Sequence, residues 1–398
     1  MSLHDTIETL KKAGVGSVIG IIGIIIIVIL FRVGVMVKNY YYPPKIDPPT
    51  RLYNLLPPLN FPKSAKDNTF TYDLQTASGN LPTDLPDRLS IFPIVLKSPN
   101  FLNLNKVQDK VRELGFTSPD NSVVSSIQLN DPFYEWDEQK GFNRKIIFNI
   151  NSYDFVMTSE YLLSLSAFNH QFITNEQDAI KTALAFLDTA KLTPTDIDVT
   201  KTNTQNSPVD YYTFPHLYSI QTGNQSNSLI ETTSLSKAQV IRVNLYQKDV
   251  EYDLNTGKSG GEANIKVHEK MPILYPNTPY STMEFWITSD PGKAVVGEAH
   301  YIHQDVDLSD SSGTYNVISP QEAYDELSNT DLTKRKAYIA AYNGSDNNIL
   351  IKDVYFAYYL GDEPEKYSQK YLMPIYVFEG SNGFFAYVSA VRDDQLQK

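Results

Sequence analysis

His300-Tyr-Ile-His303 is the closest pairing among the six histidines, and it is the first place to look for metal chemistry. On a helix, residues three apart share a face and could hold one ion, whereas on a strand they point to opposite sides. The run Ala294–Tyr301 has strand character, so the pair reads as two separate, solvated histidines rather than a zinc site. Asp305, Asp307 and Asp310 follow in DVDLSDSSG, which begins like a calcium loop. Asp310, however, stands where that loop needs glycine, and Asn316 where the bidentate glutamate belongs. An acidic surface turn is the expectation. The chain has no cysteine, which removes thiol catalysis and structural disulfides together. No G-x-S-x-G, H-E-x-x-H, phosphate-loop or dinucleotide fingerprint occurs. Glycoside cleavage needs two carboxyls about 5–10 Å apart across a cleft. Glu135/Asp137 and Glu363/Glu365 are the pairs that come to mind. With 46 acidic residues such neighbours arise by chance, and they read as surface. Trp136, Trp286 and the tyrosines could line a sugar-binding face, although strand aromatics are more often core or cross-strand pairs. The expectation is a non-enzyme with no cofactor and no metal.

The elements that would carry any such site begin at a greasy N-terminus. Gly14 to Phe31 run without a charge, with Ser17 the one polar side chain, and VGVMV continues to Val37. Such a stretch is long enough to cross a hydrocarbon core of about 30 Å. A cleaved signal peptide is disfavoured, because its apolar region is shorter and ends in a small-x-small site that is absent here. The reading is therefore a tail over 1–12, a transmembrane helix over 13–37 and a Pro-rich juxtamembrane linker over 38–66. Arg32 sits where it can snorkel outward, and Tyr40, Tyr41 and Tyr42 suit the membrane interface. Gly16 and Gly20 form a G-x-x-x-G pair with Gly23 a turn further on, the spacing that lets two helices approach closely, in a homodimer or against a partner. A naive count of Lys11 and Lys12 against Arg32, Lys38, Lys45 and Arg51 favours a cytoplasmic domain. The short N-terminal tail has the shape of a signal anchor, and long domains translocate largely regardless of charge. We therefore place the C-terminal domain outside the cytoplasm, on the plasma membrane. A net charge of −12 argues against nucleic acid as a partner.

The proline pairs between Pro43 and Pro58 hold the linker near polyproline II. Leu52, Leu55, Leu56, Leu59 and Phe61 suggest that it also packs on its own domain. Beyond it the chain repeats one arrangement, a capped amphipathic helix followed by strands. The helices are Asn105–Gly115, one opening with Thr174-Asn-Glu-Gln177 and running to about Leu192, and one opening with Ser319-Pro-Gln-Glu322. Strands are predicted at Ser122–Leu129, Pro132–Asp137, Asn143–Ile150 and Tyr153–Met157 after the first helix. Others follow at Val240–Tyr246, Val250–Leu254, Met283–Thr288 and Ala294–Tyr301. The last set is Ile349–Leu360, Tyr371–Glu379 and Phe384–Val391, with Gly380-Ser-Asn-Gly383 as the hairpin turn. The fold class is α+β: two or three modules of a helix on an antiparallel sheet, over 67–170, 171–310 and 311–398.

The segments ISPQEAYDEL at 318–327, IKDVYFAYYLG at 351–361 and YLMPIYVFEG at 371–380 resemble the PepSY-like modules of the YycH/YycI family. They are similar also to the repeated units of the spore-germination protein YpeB, and ITNEQDAI at 173–180 is a fainter echo. The resemblance implies a membrane-anchored bacterial regulator whose external PepSY-like domains bind a protein partner. A cell-envelope glycan- or peptide-binding module is the alternative, and a hydrolase a third.

Overall fold

The computed structural model describes residues 26–34, 36–37, 49–64, 70–95, 103–117, 123–125, 133–138, 141–163, 175–199, 216–221, 228–232, 235–256, 265–290, 292–309, 313–331, 335–362 and 369–397. Two units emerge: Pro49–Tyr252 with Glu269–Lys398, and Met1–Pro48 with Asp253–His268. In the smaller unit residues 26–34 are helical, and every side chain described there is exposed, Arg32 included. Among the described residues no helix is long and apolar enough to cross a membrane. Most of the expected span 13–37 lies outside the described residues, as do Gly16, Gly20, Gly23, Tyr40, Tyr41 and Tyr42.

The larger unit is α+β and holds two helix-on-sheet layers. The first sheet contains β3 (Val123–Ser125), β4 (Phe133–Asp137), β5 (Lys145–Asn149), β6 (Phe155–Thr158), β7 (His216–Gln221), β8 (Ser228–Glu231), β9 (Val240–Asn244), β13 (Met283–Asp290) and β14 (Lys293–Tyr301). Their order is β3-β4-β5-β6-β14-β13-β9-β7-β8, and each pairing is antiparallel. Alternation puts Ile241, Val243, Phe285, Ala299 and Tyr301 on one face, and that face is covered by α1 (Asn103–Glu113) and α2 (Glu176–Thr189). The covering side chains are those at helical spacing, Val107 and Val111 from α1 and Ala179, Ala183 and Leu187 from α2, all without exposed surface. The nitrogen of Lys110 ties the helices together by donating to the carbonyls of Ala190 and Lys191 at 2.7 and 2.9 Å.

Two helix starts differ from the sequence reading. α1 begins at Asn103, so Asn105 lies inside the helix instead of capping it. α2 is capped by Asn175, whose side chain accepts from the Asp178 N–H at 2.9 Å. That places the cap one residue after the expected threonine. α3 (Pro320–Leu327) starts as read: the Ser319 hydroxyl accepts from the Glu322 N–H while the Glu322 carboxylate accepts from the Ser319 N–H.

The second sheet orders β1 (Thr71–Leu74), β17 (Asn348–Tyr359), β18 (Tyr371–Gly380), β19 (Phe385–Ser389) and β16 (Tyr338–Ala341). β12 (Ile273–Leu274) joins one end of β17, and β2 (Arg88–Pro93) links β18 to β15 (Gly313–Asn316). β1 and β12 both run parallel to β17, one at each end of it. α3 rests on this sheet through Ala323 and Leu327. The β18–β19 turn is Ser381–Gly383, with Asn382 and Gly383 both at positive φ. The segments 67–170 and 171–310 do not form separate sheets. Strands from both share the nine-stranded one, because β6 pairs with β14 across more than a hundred residues, while β1 and β2 leave for the other sheet.

The proline-rich segment packs on its own domain, as its leucines suggested. Leu56 is fully buried and forms a parallel bridge with Leu396, its N–H donating to Gln395 and its carbonyl accepting from Gln397. Phe61 stacks on Tyr338 at 5.5 Å and meets Tyr359 edge-on at 4.9 Å. Leu52 and Leu55 stay exposed.

Candidate functional site

This packed segment forms one wall of an open groove of about 1060 Å³. Pro58, Leu59 and Phe61 supply that wall, and α3 supplies the opposite one with Glu322, Asp325 and Glu326. The floor is apolar: Ile318, Val388, Val391 and Leu396. Its far end is a 3-10 turn at Asp393–Gln395, which Gln395 anchors from below. The Gln395 amide is fully buried; it donates to the Asn316 carbonyl at 2.7 Å and accepts from the Asn316 N–H at 3.1 Å. With that amide satisfied on both sides, Arg392, Asp393 and Asp394 are turned to the rim.

The rim is acidic. Glu322, Asp325, Glu326, Asp393 and Asp394 face Lys336 and Arg392, the only cations among the described residues that line the groove. Four of the five carboxylates have partners inside the fold. Glu322 closes the α3 capping box, and the bonds from the Ser319 N–H and hydroxyl hold its carboxyl below the usual range. Asp393 pairs with Lys336 at 2.5 Å, and Asp394 with Arg392 and Arg51 at 3.5 and 3.8 Å. Asp325 takes a bond from Gln321 at 2.8 Å. Glu326 keeps a buried carboxylate oxygen with no hydrogen-bond partner among the described residues, and Ser389 a buried hydroxyl in the same state. Each such atom costs about 1–3 kcal/mol until a donor reaches it. The groove is thus built to take an apolar group on its floor and a cationic or N–H donor at the α3 wall. Among the described residues no histidine lines it.

The residues singled out in sequence for chemistry fall elsewhere. His303 is buried, not solvated: its Nε2 lies 2.9 Å from Asp196 and its Nδ1 3.6 Å from Asp305. Burial works to raise the Asp196 carboxyl, but the hydrogen bond and charge of His303 outweigh it, and the group lies below its ordinary value. His300 points to the other face of the sheet, half-buried. Among the described residues no three or more His, Asp or Glu side chains gather as a metal would need. Glu135 and Asp137 share one lysine, Lys145, at 3.2 and 3.6 Å, and Glu363 and Glu365 lie outside the described residues. Trp136 is core, and Trp286 is half-buried on the helix-free face. Sequence reasoning missed the groove because its walls are 260 residues apart in the chain. The one signal available was the apolar spacing of residues 52–61 beside proline pairs.

No protein-family model matches this chain, and no curated protein matches it.

Proposed function

We propose that the chain is a non-enzymatic, single-pass membrane-anchored protein whose PepSY-like domain, outside the cytoplasm, binds a protein partner in a regulatory or scaffolding role. The groove of α3 and the proline-rich wall is where that partner docks, and its occupant is a polypeptide segment with an apolar anchor flanked by basic residues. The observation that carries this reading is the apolar floor beneath an acidic rim that includes an unsatisfied buried carboxylate oxygen. Charge complementarity then selects lysine or arginine beside the anchor, and a desolvated charge-assisted bond is worth about 1.5–3 kcal/mol. Arg32, Tyr40, Tyr41 and Tyr42 are the proposed interface residues of the anchor, with Gly16, Gly20 and Gly23 its helix-contact stripe.

The test uses full-length protein in lipid nanodiscs and a fluorescent peptide carrying a Leu-Phe anchor between lysines. Binding by anisotropy is expected, with Glu326→Gln weakening it about threefold to tenfold and Leu59→Asp abolishing it. Equal binding of a peptide with glutamate flanks, or no effect of either variant, removes the groove reading. Protease shaving of intact cells decides sidedness separately: a protected C-terminal domain would overturn the external placement.

A further inference from the structure

A second cavity, of about 470 Å³, opens where the two sheets meet, and it shares no residue with the groove. That volume falls within the roughly 300–1,000 Å³ usual for small-ligand sites, which favour junctions between packed layers. Arg242, Glu284 and His300 reach it from the helix-free face of the nine-stranded sheet. Asp362, just past β17, and Asn343, beyond β16, reach it from the side of the other sheet. The loop between β12 and β13, residues 275–282, forms the remaining wall.

That loop is held from many sides. Tyr246 donates to the Pro279 carbonyl and Tyr338 to the Pro276 carbonyl, and the Tyr387 hydroxyl bonds to Thr278. The Thr282 hydroxyl donates to the Ile302 carbonyl at 2.8 Å, and the Ser281 N–H to the Asn244 side chain at 3.3 Å. Tyr280 is therefore presented by a fixed backbone, and its ring lies on the Arg242 guanidinium, 3.7 Å from the ring centroid. Arg242 is itself locked by an ion pair with Glu284 and backed by Trp286 at 5.1 Å. The half-exposed Tyr280 ring is a pre-set aromatic platform at a polar cavity.

We propose that this cavity binds a short, uncharged oligosaccharide, with Tyr280 as the stacking platform and the carboxylates of Glu284 and Asp362 as hydroxyl acceptors from opposite walls. The charge pattern selects the class. Arg242 is already paired with Glu284, and a phosphate or a uronic acid would meet the Asp362 carboxylate on the facing wall, with His300 as the other basic group there. The exposed side-chain amides of Asn277 and Asn343 line the rest, donors and acceptors that a polyol satisfies, while the Ser281 and Thr282 hydroxyls already donate to the Met283 and Ile302 carbonyls. A sugar ring has one face of C–H groups that lies flat on an aromatic, which suits a ring held immobile in advance. Burial raises the Glu284 carboxyl above its ordinary value, against the lowering effect of the Arg242 charge and hydrogen bond.

The experiment titrates the full chain in nanodiscs with chitotetraose, cellotetraose and a tetrasaccharide of uronic acids. The readout is tryptophan fluorescence, since Trp286 sits behind the Arg242–Tyr280 stack. One of the neutral sugars is expected to give a saturable change that the acidic one does not. Tyr280→Ala should weaken it about tenfold or more, Tyr280→Phe should bind within about threefold of wild type, and Asp362→Asn should fall between them. Melting curves identify any variant that fails to fold, and Asn343→Ala, at an exposed position, provides a further probe of the same wall. Absence of a saturable response to both neutral sugars overturns the proposal, as does equal affinity for the acidic one or an unaltered affinity in Tyr280→Ala. Failure here leaves the peptide groove standing, and failure of the groove leaves this cavity standing.

Discussion

The two sheets of the larger unit are held together by different chemistry. The nine-stranded sheet is antiparallel throughout, and its helix-covered face is aliphatic and phenylalanine-rich, with Phe148, Phe155 and Phe285 at its centre. The eight-stranded sheet gathers short strands from distant parts of the chain and pins them with tyrosines. Tyr358 donates to the Ser90 carbonyl at 2.7 Å, Tyr376 to that of Ile318 at 2.8 Å and Tyr324 to that of Tyr72 at 2.9 Å. A buried ring supplies apolar area while its hydroxyl satisfies a carbonyl that a short strand leaves unpaired. In the nine-stranded sheet an antiparallel ladder joins each neighbouring pair. At β1, at β2 and just ahead of α3, segments that come from distant parts of the chain, a tyrosine tip does it.

Variants can break this contrast. The largest effect is expected from Phe285→Ala, which removes a fully buried ring from the helix-covered face and should cost about 3–5 kcal/mol by denaturant titration. Tyr358→Phe keeps the ring but leaves the Ser90 carbonyl and the Tyr252 hydroxyl short of a partner, for a loss of about 1–3 kcal/mol. If Tyr358→Phe were neutral, the hydroxyl would not be what secures β2. Ser319→Ala removes the α3 cap and should cost about 1 kcal/mol, while rotating the groove's acidic wall loose.

Titration sharpens the same contrast. Burial pushes the Tyr252 and Tyr338 hydroxyls up to about 12. A group whose pKa is higher folded than unfolded stabilises fully below the unfolded value and less as pH rises through the folded one. Stability should therefore hold to about pH 10 and fall from there toward 12, with tyrosinate absorbance lagging that of free tyrosine. The smallest effect is at the acid end. Glu322 is depressed, so its contribution is complete above about pH 4.3 and lost as pH falls through its folded value. The Ser319→Ala variant should show a flatter acid limb than wild type.

Legibility in the sequence follows chain distance. The long strands β13, β14, β17 and β18 were readable because each is apolar or alternating over eight or more residues, and α3 because its whole cap is contiguous. β1, β2, β12, β15 and β16 were not. They are two to six residues long, and β2 is buried along nearly all of its length, so it shows no alternation. β1 finds its partner about 275 residues later, at Thr71 opposite Asn348. His303 was misread as solvated because Asp196, which buries and pairs it, comes from 107 residues away.

Local pattern alone determined the α+β class, the strands of the main hairpins, the apolar faces of α1, α2 and α3 and the self-packing of the proline-rich segment. Each of these depends on side chains within one or two turns, whose burial and capping follow from spacing. Which strands share a sheet, which wall faces α3 and which charges meet across the cavity at Tyr280 were decided only in three dimensions. Those contacts pay their loop-closure entropy across hundreds of residues, and nothing in a short window of sequence records the partner that repays it.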